Sequence, residues 1–253
     1  MLLITMKKLT KITLQNTKEK CKRKNAEANN KLHWFASKFS IYFSYFFLKL
    51  RFSADQVTII FFVVGLLGSF LYSFDSLILS VLGYAMFRLH IIIDMSDGDV
   101  ARFNKSYSIR GAYWDAVIHS IVNPLYYVFI SYSFYLQFNN ENFMILGALA
   151  GVSSSVLMAV KNNYYKAMLF NNEILKAKKE INSQNKSLKF KLFFLVTEFL
   201  SIEGFIFLTI LVRFLDVELL ALILIPSYIG ANVLISGIKF YQLSYKGSYK
   251  MKS

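Results

Sequence analysis

Residues 57–93, VTIIFFVVGLLGSFLYSFDSLILSVLGYAMFRLHIII, decide how this chain is built. The stretch carries two formally charged side chains, Asp75 and Arg88, and Asp75 stands at its middle. A hydrocarbon core about 30 Å thick is spanned by roughly 18–25 apolar residues in a helix. The stretch therefore reads as two crossings, 57–74 and 76–93, with Asp75 in the turn. Four more runs of that length and character follow at 113–136, 143–160, 190–212 and 217–238. In lipid the backbone must satisfy its own hydrogen bonds within each segment, which favours helices. The expected fold is an all-α integral membrane protein with six transmembrane helices. Composition agrees: 55% of the 253 residues are hydrophobic and the mean hydropathy is +0.42, outside the range of ordinary soluble domains.

Charge sets the expected orientation. The chain has 29 Lys and Arg against 15 Asp and Glu, a net charge of +14. Twelve of the cations precede residue 57, three lie in 102–112, eight in 161–191 and four after 238. The opposite loops hold Asp75, Glu141, Asp216 and Glu218, with Arg213 at their border. The positive-inside rule then puts both termini and the 102–112 loop in the cytoplasm of a multi-pass cell-membrane protein. The basic excess reads as topology and attraction to anionic membrane lipids. No recognition module accompanies it, so nucleic acid is not an expected partner.

The chain divides into a basic N-terminal segment (1–30), an interfacial segment (31–51), a membrane domain (52–240) and a basic tail (241–253). Residues 1–30 are polar rather than apolar, so they show no cleavable signal peptide and read as a mobile or surface-bound arm. Residues 31–51, KLHWFASKFSIYFSYFFLKLR, mix aromatic and basic side chains, the composition of an amphipathic helix lying in the interface. Cys21 has no second cysteine to pair with and is assigned no role.

The chemistry gathers where the second crossing ends. Asp94, Asp97, Gly98 and Ala101 follow i, i+3, i+4, i+7, one face of a helix. Gly111, Asp115 and His119 repeat at i, i+4, i+8, again one face. A short connection makes these helices neighbours, so three carboxylates and an imidazole are expected to converge just below the cytoplasmic interface. Clustered carboxylates repel one another and resist desolvation. Protonation or a bound hard cation such as Mg²⁺, Ca²⁺ or Mn²⁺ relieves this, and Mg²⁺ commonly shares its coordination with substrate phosphates. Two ions can clamp a phosphoryl displacement. Gly98 and Gly111 leave room at the backbone, and Arg102 offers a bidentate partner to phosphate or carboxylate. Asp99 falls on another face and reads as a solvated charge. His90 is one turn before Asp94 and is a candidate supporting partner; Asn123 is one turn beyond His119 and a candidate hydrogen-bond partner. Glu198 and Glu203 are costly in lipid and should face the bundle.

The spacing Asp94-x2-Asp97-Gly98-x2-Ala101-Arg102-x8-Gly111-x3-Asp115-x3-His119 resembles the signature of the CDP-alcohol phosphotransferases, D-x2-D-G-x2-A-R-x8-G-x3-D-x3-D. Each fixed position is matched except the last, where His119 replaces aspartate. SADQVT, residues 53–58, resembles the Pro-Asn-x-x-Thr opening of the family's first helix, with Ala54 for proline, Asp55 for asparagine and Thr58 for threonine. The resemblance implies that an alcohol hydroxyl attacks the β-phosphorus of a CDP-linked donor such as CDP-diacylglycerol and that CMP leaves. It implies that Asp94, Asp97 and Asp115 ligate two metal ions, and that Thr58, Asp97, Gly98, Ala101, Arg102 and Gly111 bound the nucleotide pocket. His119 stands where the family places its general base and a metal ligand; it is a base, a ligand, or a polar group in a site that no longer works. The resemblance further implies a homodimer and a small alcohol or sugar acceptor. A different class also fits the acids, a divalent-cation transporter, although its polar groups should run through the membrane depth.

Overall fold

The computed structural model describes residues 12–21, 31–106, 108–170 and 201–246. Among these the chain is all helical: α1 (Leu14–Lys20), α2 (Lys31–Lys49), α3 (Ala54–Leu71), α4 (Leu77–Asn104), α5 (Ile109–Phe138), α6 (Asn142–Phe170), α7 (Ile202–Leu215) and α8 (Glu218–Lys246). Four helices are long and apolar enough to cross a membrane: α3, α4, α6 over Asn142–Tyr164 and α8 over Glu218–Gln242. Between 28% and 39% of the most apolar stretch of each is buried inside the molecule. The remaining apolar surface needs lipid, as on α3, where Ile59, Val63, Leu67 and Phe70 form an exposed stripe. The chain has the build of a multi-pass membrane protein.

The expected six crossings are met to that coarser degree. α5 has 30 residues, but Tyr126, Tyr127, Tyr132, Tyr135, Asn123 and Gln137 dilute its apolar character. α7 has 14 residues, and the first part of the expected 190–212 span lies outside the described residues. So does Glu198.

The chain divides into two compact units. The first comprises residues to Val63 together with Arg88–Trp114. Here the expected interfacial segment is helical as α2. Ala36, Ser40, Ser44, Phe47 and Leu48 are its buried face, and Phe39, Tyr42 and Phe46 are exposed. α2 stops through a Schellman turn: Arg51 adopts φ 59°, its N–H bonds the Leu48 carbonyl at 3.0 Å, and Phe52 N–H bonds Phe47 at 2.9 Å. α3 starts with a reciprocal capping pair, Ser53 N–H to Gln56 Oε1 at 2.8 Å and Gln56 N–H to Ser53 Oγ at 3.3 Å. α4 ends as α2 does. Lys105 takes φ 54°, Ser106 N–H reaches the Ala101 carbonyl at 2.9 Å and Lys105 N–H reaches Arg102 at 3.3 Å. Ser108 then caps α5 by accepting from Gly111 N–H at 2.9 Å.

Residues 12–21 of the N-terminal arm are more ordered than composition implies. α1 is a helix capped by Thr13, with Thr17 and Cys21 buried. Lys18 lies over the Tyr42 ring and Lys20 over the Phe103 ring at 5.7 and 4.6 Å, contacts that composition alone cannot reveal.

The second unit comprises Val64–Phe87 and the chain from Asp115 on. Its α3 and α4 segments cross closely because glycines face each other. A Cβ on Gly68 would stand 2.1 Å from Tyr126 Oη and 2.9 Å from Met86 Cβ, and one on Gly83 would stand 2.9 Å from the Gly68 carbonyl. Small residues permit such approach where lipid supplies no hydrophobic drive between helices. Tyr72, Phe87 and Tyr126 pack edge to face beside this crossing, and Tyr127, Phe205 and Tyr228 form a second aromatic row. Arg213, buried on α7, pairs with Asp75 at 2.9 Å. Glu203 is buried in this unit, as its cost in lipid requires.

Candidate functional site

α4 runs unbroken from Leu77 to Asn104, so Asp94, Asp97, Gly98 and Ala101 hold the helical register their spacing predicts. Asp97 and Thr58 are brought together: Thr58 Oγ1 lies 2.9 Å from Asp97 Oδ2. The same hydroxyl is 3.0 Å from the Ala54 carbonyl one turn earlier. Asp94 and Asp97 are half-buried.

Arg102 does not stand unpaired as a phosphate partner. It pairs with Asp99, one turn earlier on α4. Its guanidinium lies against Gly98: a Cβ there would be 3.5 Å from Nη1 and 3.8 Å from Cζ. Asp99 itself overturns the solvated-charge expectation, being 1% exposed. Ser40 Oγ and Ser44 Oγ of α2 each donate to its Oδ2 at 3.1 Å. Cys21, expected to have no role, is buried and its Sγ donates to the Asp99 carbonyl at 3.2 Å. The sequence held one usable signal for this cluster. Two serines four residues apart interrupt an aromatic helix, and an acid sits three residues before the signature arginine.

Other side chains also find partners. Asp55 pairs with Arg110. His90 Nδ1 lies 2.7 Å from the Phe61 carbonyl, and its ring packs on the Phe61 ring at 5.2 Å. Ala101 and Gly111 are half-buried, and Gly111 occupies the third position of the α5 cap described above.

In the second unit Asp115 and His119 stand one turn apart on α5, with His119 Nε2 3.3 Å from Asp115 Oδ1. Their side chains are 51% and 25% exposed, so both can be reached from outside. Asn123 does not take the expected place beside His119. Its Nδ2 lies 4.0 Å from Met158 Sδ.

No family model matches this chain, and no curated protein does.

Within the second unit Asp115 and His119 offer a carboxylate oxygen and an imidazole nitrogen, donors of the kind that can hold a metal ion. Carboxylates suit Mg²⁺ or Mn²⁺, and imidazole shifts the preference toward the softer Mn²⁺. These residue types are compatible with a divalent cation.

Proposed function

We propose that the chain is a membrane enzyme of the CDP-alcohol phosphotransferase type, working at the cytoplasmic face of the cell membrane in phospholipid or glycolipid synthesis. The observation that carries this reading is the spacing of Asp94, Asp97, Gly98, Ala101 and Arg102 on one unbroken helix, continued by Gly111, Asp115 and His119 on the next. Two local contacts support it: Thr58 hydrogen-bonds the second aspartate, and His119 adjoins the third.

The reaction joins an alcohol oxygen to the β-phosphorus of a CDP-linked donor. The bond from that phosphorus to the bridging oxygen breaks, and CMP carries that oxygen away. The alcohol's proton goes to His119, whose neutral imidazole nitrogen accepts it while the Asp115 carboxylate favours the imidazolium that forms. Asp94, Asp97 and Asp115 would hold one or two divalent cations, whose contribution is to neutralise phosphate charge. Asp97 is oriented for this by Thr58. Arg102 would meet a phosphate oxygen of the donor. The donor is a CDP-linked lipid, CDP-diacylglycerol in the simplest case, and the acceptor a small alcohol or sugar. The basic cytoplasmic side attracts anionic lipids, and the working unit is a homodimer.

Membranes containing the protein, supplied with CDP-diacylglycerol and a panel of alcohols, test this by mass spectrometry of the lipids made. A new phosphodiester lipid that disappears with Asp97→Asn is expected. Absence of any new lipid across the panel would reject the reading.

A further inference from the structure

We propose that Asp99, at an unfixed position of the signature, is a positioning residue that holds Arg102 for a phosphate of the donor; this rests on the function proposed above. Burying a carboxylate is costly unless its charge is matched and its lone pairs are filled. Asp99 meets both conditions. Oδ2 accepts from Ser40 and Ser44 at 3.1 Å each, and Oδ1 pairs with Arg102 Nη2. Ser96 Oγ reaches the Ser40 carbonyl at 3.0 Å, and Cys21 Sγ reaches the Asp99 carbonyl at 3.2 Å. These bonds fasten α2 and α1 to the helix that carries the signature.

The consequence falls on Arg102. Its guanidinium is planar, with five donors in a rigid fork. Asp99 takes one edge, and the bare backbone at Gly98 lies along the plane, with Nη1 3.5 Å from the position of an added Cβ. Arg102 Nε is buried and finds no acceptor among the described residues, and the side chain is 26% exposed. With one edge taken by Asp99 and about a quarter of the side chain exposed, the fixed guanidinium remains reachable from outside. A fork held in place loses less rotamer freedom on binding an oxyanion than a mobile one, and bidentate contact with phosphate is its strongest use. A charged hydrogen bond that depends on such orientation is worth about tenfold or more in affinity.

If Asp99 merely cross-linked α2 to α4, its loss would lower thermal stability and leave nucleotide binding unchanged. The test is equilibrium dialysis of radiolabelled CDP with Mg²⁺ against the purified full chain in detergent, which needs no turnover. Asp99→Asn should weaken CDP binding about tenfold, and Arg102→Gln by at least as much. Asp99→Asn should add less than about twofold in the Arg102→Gln background, because residues that act through one another are not additive. Ser40→Ala combined with Ser44→Ala keeps the ion pair and should weaken binding in the same direction. That pair of substitutions decides the question if Asp99→Asn fails to fold. Full CDP binding by folded Asp99→Asn or by the double serine variant, or additive losses, would overturn the inference and leave the proposed function standing. A parent protein that binds no CDP would remove both.

Discussion

Thr58 and Asp97 join α3 to the signature helix through one hydroxyl, which lies 2.9 Å from the Asp97 carboxylate and 3.0 Å from the Ala54 carbonyl. A hydroxyl has one proton to donate, so an occupied site would draw it to the carboxylate, the stronger acceptor. Thr58→Val keeps the shape and removes the donor. It should slow CMP release by about 10-fold to 100-fold, the range for a hydrogen bond to a charged group. Thr58→Ser should work nearly as well as the parent. Steady-state CMP release for the three proteins checks this; equal rates for valine and threonine would show that the bond plays no part in turnover.

The three aspartates should matter as ligands. Asp94→Asn, Asp97→Asn and Asp115→Asn are each expected to abolish CMP release and to blunt its dependence on added Mg²⁺ or Mn²⁺, since amide oxygen is a neutral and weaker ligand. Titration of activity against each metal reads this out. Two of the three variants turning over within about threefold of the parent, a difference of only about 0.7 kcal/mol, would refute the assignment.

His119 replaces the last aspartate of the pattern, 3.3 Å from Asp115. His119→Ala should lower kcat by roughly 10² to 10⁴, the span for losing general acid–base help, with the donor KM less affected. His119→Asp restores a carboxylate at that position and should retain activity while shifting metal preference from Mn²⁺ toward Mg²⁺. An alanine variant with the parent's kcat would exclude the histidine as base.

Much of this site was legible because helical spacing is a local property. The faces of Asp94, Asp97 and Ala101, and of Gly111, Asp115 and His119, needed only the 3.6-residue period and unbroken helices, which α4 and α5 supply. Asp99 was misread for the complementary reason. Its burial is decided by Ser40 and Ser44, more than fifty positions away, and no periodicity reports a tertiary partner. Asn123 went to Met158 rather than His119, again a choice made by a neighbouring helix. Four crossings were plain from composition. α5 was not so clear a case, since tyrosines fill positions that the others give to aliphatic residues.

The close crossing in the second unit gives a prediction independent of chemistry. Gly68→Ala would put a methyl 2.1 Å from Tyr126 Oη and 2.9 Å from Met86 Cβ. The tyrosine can swing away, but the Met86 Cβ is fixed by its backbone. A stability loss of about 1–3 kcal/mol is expected, as for other overpacked cores. Gly237→Ala, where an added Cβ meets nothing within 4 Å, serves as the control and should unfold like the parent. Thermal denaturation in detergent compares the two; equal melting of Gly68→Ala and the parent would mean that the helices separate at little cost.

The most direct measurement is release of radiolabelled CMP from CDP-diacylglycerol by the purified protein, with an alcohol panel and either Mg²⁺ or Mn²⁺ present. The account predicts CMP release that requires both metal and alcohol, stops on chelation, and is absent from Asp97→Asn. No CMP from this or any other CDP-linked donor, alongside divalent-cation flux in sealed vesicles that Asp97→Asn removes, would contradict it and assign the same acids to transport.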